Sequence, residues 1–133
     1  MEKYRKLRNL VGELEGIELV EAPAATDTQI LYAHDPQYLI KVIQGNLSPQ
    51  EQREIGFPWS ERMVERSRRS AGATVAACKT ALSEGVAVNL AGGTHHAYRD
   101  KGSGFCVFND AAVTSRLMQA EWSRLHAHPL RVA

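Results

Sequence analysis

Apolar residues recur along much of the chain at the spacing of one helix face. Over residues 3–14 they stand three or four positions apart, with lysines and arginines between them, which predicts an amphipathic helix. A second stripe of this spacing predicts a long helix over residues 60–83, and it runs through Val64, Ser67, Ala71, Val75, Cys78 and Leu82. A third helix is predicted over residues 109–122. These segments make the chain mainly helical.

Short helices are predicted between the first two of these segments. The stretches "TDTQILYAH" and "DPQYLIKVIQG" each predict one, and "SPQEQREIG" predicts another. Asp35 and Ser48 stand directly before a proline, which is the usual order of an N-cap residue and the first helical residue. Gly45 and Gly85 stand where one short helix and the long helix are expected to end.

Two short apolar runs predict β-strands. The first covers residues 17–21, and the second is "VAVNL", residues 86–90, which lies between Gly85 and the pair Gly92 and Gly93. A wholly apolar strand after a long helix is typical of a parallel sheet that is covered on both faces. The pattern therefore predicts an α/β fold with a partial parallel sheet, in a single domain over residues 1–133.

Composition narrows the class of protein. The chain is 44% hydrophobic and 23% charged with a net charge of +1. It therefore has no strong positive electrostatic field that would favour binding to nucleic acid or to an anionic membrane. No apolar run is long enough to span a membrane, and two cysteines make no disulfide framework. We expect a cytoplasmic protein with no nucleic-acid or membrane partner. The arginines of "ERSRRS" are most simply a solvated helix face, and a phosphate or peptide contact is the alternative.

A glycine-rich segment with two adjacent histidines follows the second predicted strand. It reads "AGGTHHA", residues 91–97, and ligand sites in open α/β sheets lie beyond the carboxyl ends of strands. On a regular strand His95 and His96 would point to opposite faces, but on an irregular bend both can face one pocket. One imidazole would then act as a general base while the other supplies charge or a hydrogen bond. The pair alone is equally compatible with a structural role.

Other side chains with metal-binding chemistry are scattered along the chain. His126 and His128 have a spacing that suits two ligands on a strand, although a polar connector after the third helix is the simpler interpretation. Asp110 falls in the first turn of that helix, where a carboxylate complements the helix dipole. The remaining candidates are His34, Asp35, Asp100 and Cys106.

The histidine segment, "LAGGTHHAYRDKGSGFCVFNDAAV", resembles the His-His segment of the zinc-dependent histone deacetylase superfamily, which includes bacterial deacetylase-like amidohydrolases. The stretch "ERSRRSAGATVAACKTALSEGVAVNL" resembles the helix and strand that precede it. "MEKYRKLR" and "ILYAHDPQYLIKV" resemble the early helical part of the same family. The resemblance implies the three-layer arginase–deacetylase fold, of which this chain would be the helix-rich N-terminal part.

The resemblance also implies roles for particular residues. His96 would be the general base and His95 its electrostatic partner, while Gly104 and Phe105 would line the acyl-lysine tunnel, with Cys106 near its floor. The family hydrolyses acyl-lysine or a related acetyl-amide with a zinc-bound water and an oxyanion-stabilising tyrosine. Gly56 falls where the family has an aspartate that grips the substrate, so this contact is not expected here.

The chain departs from the family in its metal ligands. The family's Asp-x-His pair, its later aspartate and its tyrosine have no counterpart, and "LRVA" resembles the start of the strand that would carry the first ligands. We therefore expect a truncated N-terminal portion that has no metal ligands and binds no zinc alone. Its partners would be a second copy of the chain or the missing C-terminal portion, with an acetylated substrate only after completion. The alternative is a non-catalytic remnant that self-associates or binds a partner.

Overall fold

The structure, a computed structural model, describes residues 2–132. Its helices, in chain order, are α1 (Glu2–Gly12), α2 (Asp27–Ile30), α3 (Pro36–Gln44), α4 (Pro49–Ile55), α5 (Glu61–Glu84) and α6 (Asp110–Leu125). The helices predicted from apolar spacing are confirmed, with ends that differ from the predicted ones by a few residues.

The predicted helix starts are confirmed at the level of single hydrogen bonds. The Asp35 carboxylate accepts the backbone N–H of Gln37 at 2.8 Å, and Pro36 follows as the first helical residue. The Ser48 hydroxyl accepts the N–H of Glu51, whose carboxylate in turn accepts the N–H of Ser48. These side chains satisfy N–H groups that have no partner inside a helix. Gly45 and Gly85 end α3 and α5 with positive φ angles.

The apolar core has two parts that meet at α5. The larger part joins α3, α4 and the first half of α5 with Val107 and Phe108, and the smaller part joins Val75 of α5 to Val113 and Leu117 of α6. Residues 23–25 cross α5 at Gly72, where an added Cβ would lie 2.0 Å from the Pro23 carbonyl oxygen. The absence of a side chain at Gly72 therefore lets the irregular segment before α2 pack directly on the long helix.

The sequence predicted that Arg68 lies on a solvated helix face, but its side chain is largely covered. Its guanidinium donates to the Ala25 carbonyl at 2.9 Å and pairs with the Asp27 carboxylate, and its side chain is 17% exposed. Arg69 pairs with Glu21 and Glu65. The prediction is therefore wrong for Arg68, which the segment before α2 covers, while Arg66 and Arg69 are exposed.

The predicted partial parallel sheet is not confirmed. Across residues 2–132 there is no β-strand, and residues 17–21 and 86–89 are irregular. Val86 and Val88 are 76% and 74% exposed. A strand forms when a neighbouring chain accepts and donates its backbone hydrogen bonds, and no such neighbour lies beside these segments within the described part of the chain. In "LRVA", residues 130–132 are also irregular, and Ala133 lies outside the described residues.

None of the helices between residues 2 and 132 is both long and apolar enough to cross a membrane.

Candidate functional site

The bend that carries the two histidines is built on a pair of glycines. Gly93 has a φ of +91°, and its N–H donates to the Asp110 carboxylate at 2.7 Å. At Gly92 an added Cβ would lie 2.2 Å from the side-chain nitrogen of Asn89. Both positions therefore require glycine, one for its backbone angle and one for space.

His95 and His96 lie side by side at the surface. Their ring centroids are 4.6 Å apart with a tilt of 30°, and both residues are exposed. Nδ1 of His95 makes a long hydrogen bond of 3.3 Å to the Gly93 carbonyl oxygen. Because a carbonyl oxygen only accepts, Nδ1 is the donor in this bond, and Nε2 makes no hydrogen bond to the described residues.

Residues 103–106 form a tight hairpin beside the histidines. Ser103 and Cys106 exchange two backbone hydrogen bonds of 3.0 and 2.9 Å. Gly104 and Phe105 both have left-handed φ angles, +53° and +63°, which is the pattern of a type I′ turn. The end of α4 holds this hairpin, since the N–H groups of Gly104 and Phe105 donate to the carbonyls of Glu54 and Ile55.

The hairpin brings the predicted site residues together. An added Cβ at Gly104 would lie 3.1 Å from Cγ of His96, so the turn lies directly against this imidazole. Phe105 is 67% exposed and packs over Gly56, where a Cβ would lie 2.8 Å from its ring. The ring of Phe57 lies 6.0 Å away. The result is an exposed imidazole pair beside the turn that carries an exposed aromatic ring.

Cys106 lies beneath this surface. It is 1% exposed, and its thiol donates to the Phe108 carbonyl at 3.2 Å. The thiol is therefore a buried group under the hairpin, and burial separates it from the imidazoles at the surface.

Three residues that support the site had no such role in the sequence analysis. His34 is buried, and its Nε2 accepts the backbone N–H of Asn109 at 3.0 Å while Nδ1 lies 3.3 Å from the Arg99 carbonyl. Burial lowers the pKa of His34. Asn109 and Asp110 bond to the histidine bend through their side chains. The sequence signalled a helix start at these two positions, but it carried no signal for bonds to a segment twelve or more residues away.

The described residues do not fit a zinc ion. Between residues 2 and 132 no three histidine, cysteine, aspartate or glutamate side chains converge on a point that could hold a metal. His126 stacks on Trp122 with ring centroids 3.7 Å apart, and the ring of His128 lies 5.8 Å from that of His126.

Two substitutions at Phe105 test the geometry of the hairpin. Asparagine tolerates a left-handed φ, whereas a β-branched valine does not. We therefore expect Phe105→Asn to be more stable than Phe105→Val, with a free energy of unfolding that is higher by about 1–2 kcal/mol, although valine is the more apolar residue. Urea unfolding of both variants measures this difference, and a valine variant as stable as the asparagine variant would contradict the geometry.

Comparison with known proteins identifies the family. The histone deacetylase domain profile matches residues 1–127. An uncharacterized protein from Picosynechococcus sp. is 42% identical over 123 residues, which cover 90% of this chain and 41% of that protein. The acetoin utilization protein AcuC from Bacillus subtilis is 29% identical over 127 residues, which cover 88% of this chain and 33% of AcuC.

Solved structures agree with the sequence relatives. A histone deacetylase homologue from Aquifex aeolicus superposes with a TM-score of 0.73 at 27% identity, covering 89% of this chain and 34% of that one. A homologue in complex with SAHA gives a TM-score of 0.74 at the same identity and coverage. The likeness confirms the helix-rich part of the arginase–deacetylase fold. This chain spans 41% or less of the length of these relatives, and it belongs to the histone deacetylase family.

Proposed function

We propose that this chain provides the histidine pair and one wall of the acyl-lysine site of a zinc-dependent deacetylase. The observation that carries the proposal is the contact between the exposed imidazole pair, ring centroids 4.6 Å apart, and the hairpin of Gly104 and Phe105. A proton acceptor and an aromatic wall thus share one small patch of surface.

The chemistry of amide hydrolysis explains why these groups belong together. The reaction needs a base that takes a proton from water and an acid that gives a proton to the leaving amine. His96 takes the proton from water and then gives it to the leaving amine, with His95 as its electrostatic partner, in line with the family resemblance. Gly104 has no side chain, so the turn lies directly against the His96 imidazole, and the exposed Phe105 ring next to it is the wall along which the aliphatic chain of acyl-lysine would lie.

The described residues supply the base but nothing that activates the amide or the water. An amide is a poor electrophile and water is a poor nucleophile at neutral pH, and metal coordination is the usual way to overcome both. No cluster within residues 2–132 is able to hold a metal. We therefore propose that hydrolysis requires residues beyond those of this chain, and that the chain alone has no deacetylase activity.

The proposal is tested with the chain alone and with a hybrid. We expect the purified chain to release no acetate from acetyl-lysine peptides, with or without added zinc. Fused to the part of the Picosynechococcus relative that follows its matched region, the chain is expected to give a zinc-dependent rate, because we propose that this part carries the metal ligands that this chain lacks.

The control for the hybrid is His96→Ala, with His126→Ala as a matched histidine outside the site. We expect the first variant to lower the rate by about two to four orders of magnitude, the usual contribution of a general base, and the second to leave it unchanged. A rate from the chain alone that His96→Ala abolishes would contradict the proposal, as would a folded, zinc-loaded hybrid that releases no acetate.

A non-catalytic, self-associating module is the second candidate, and a specific surface favours it. Val86 and Val88 are 76% and 74% exposed in a segment without backbone partners among the described residues. Burying apolar side chains stabilises an assembly by about 25 cal/mol for each Å² removed from water. A second copy of the chain would cover these valines.

Sedimentation equilibrium of the chain tests this second candidate. We expect a dimer or larger assembly at micromolar concentration that dissociates when Val86 and Val88 are both replaced by lysine. Val20→Lys is the matched control, since Val20 is 77% exposed at another place. A compact monomer of the unmodified chain would rule the candidate out.

A further inference from the structure

The side chain of Asn109 makes more hydrogen bonds than a helix cap requires. Its oxygen accepts the N–H of Ala112 at 3.0 Å, which is the capping bond of α6. Its amide nitrogen donates to the carbonyls of His95 and Ala97, each at 3.2 Å. One side chain is thus bonded to the backbone on both sides of His96.

Asp110 holds the start of the same bend. Its carboxylate is buried, with the residue 1% exposed, and Oδ2 accepts the N–H of Gly93 at 2.7 Å and the hydroxyl of Thr74 at 3.0 Å. A carboxylate that only complemented the dipole of α6 would work equally well at the surface. Burying it costs free energy unless hydrogen bonds compensate, and the shorter of these two bonds is to the histidine bend.

Together the two side chains bind the bend at three alternate residues, Gly93, His95 and Ala97. Fixing three backbone groups in a stretch of five residues removes most of the freedom of the two residues that remain between them. We infer that Asn109 and Asp110 are positioning residues that set the direction in which the imidazoles of His95 and His96 leave the backbone. The positioning of the imidazoles is independent of the proposed function, and only their role in hydrolysis rests on it.

A plain helix start makes a different prediction from a positioning role. Asparagine, aspartate and serine cap helices almost equally well because each has a side-chain oxygen that accepts an N–H. Only asparagine among these also has an amide that donates to the His95 and Ala97 carbonyls. Asn109→Asp therefore keeps the cap and removes the two bonds to the histidine bend.

The test observes the imidazoles directly by NMR. The chain has five histidines, and single His→Gln variants assign their ring signals. In the unmodified chain we expect a nuclear Overhauser contact between the rings of His95 and His96, since their centroids are 4.6 Å apart. In Asn109→Asp we expect this contact to be lost and both signals to shift, while the signals of His126 and His128 stay in place and the helical circular dichroism is retained.

Four further variants make the result decisive. Asn109→Ser keeps a cap without adding charge, and it replaces Asn109→Asp if that variant does not fold. Asp110→Asn keeps an oxygen that accepts the Gly93 N–H, so its imidazole signals are expected close to those of the unmodified chain, whereas Asp110→Leu loses the contact. Ser60→Asp exchanges the cap of α5 and is expected to move neither imidazole signal.

The inference is overturned if folded Asn109→Asp or Asn109→Ser keeps the ring contact and both ring signals of the unmodified chain. Because the readout is the direction of the rings, this outcome would leave the proposed hydrolytic role untouched. Conversely, an inactive hybrid enzyme would leave the positioning role standing.

Discussion

A single buried imidazole joins the parts of this chain on which the site depends. Nε2 of His34 accepts the backbone N–H of Asn109 and its Nδ1 lies 3.3 Å from the Arg99 carbonyl. The ring is 3% exposed and lies against the rings of Tyr38 and Phe108. Only the neutral ring with its proton on Nδ1 makes both bonds, because Nε2 must accept while Nδ1 donates. Burial favours this neutral form by lowering the pKa of His34.

The position of His34 connects segments that are far apart in the sequence. The carbonyl of Arg99 also accepts the N–H of Asp35, the residue that caps α3. The loop between Arg99 and Asn109, which includes the hairpin, is thereby held at both ends by the turn between α2 and α3. The end of α4 holds the middle of the loop through Gly104 and Phe105. The short N-terminal helices thus form the support on which the hairpin meets the histidine bend.

The sequence predicted the helices because their signals are local. Apolar spacing marked α5 and α6, and the pairs of cap and proline at Asp35 and Ser48 marked two helix starts within a residue. The histidine pair and the hairpin residues came from family resemblance, and the structure places Gly104, the neighbour of Phe105 in the turn, against His96. Their chemical roles stay predictions.

Other features depended on partners that local sequence does not specify. The apolar run at residues 86–90 has the composition of a buried strand, but a strand also needs a neighbour, and within residues 2–132 it has none. The sequence of α5 predicts a surface position for Arg68, because nothing in that helix shows that residues 23–27 cover it. The two bonds from the Asn109 amide to the histidine bend were likewise not predictable, because the sequence of a helix cap is the same whether or not its amide bonds to another segment.

The dependence of stability on pH tests the central place of His34 most directly. In the folded chain the pKa of His34 lies below the ordinary value of 6.5. On acidification the unfolded chain therefore takes up the proton first. The stability that His34 contributes is complete above pH 6.5 and falls as the pH drops below that value. His34→Gln keeps one donor and one acceptor but does not titrate, and all other titrating groups are common to both proteins. The free energy of unfolding, measured by urea at a series of pH values for both proteins, gives the contribution of the ring by difference. We expect the difference in unfolding free energy to be constant above neutral pH and to shift in favour of the glutamine variant on acidification below pH 6.5. A difference that does not change with pH, or that shifts in favour of the histidine protein, would contradict it.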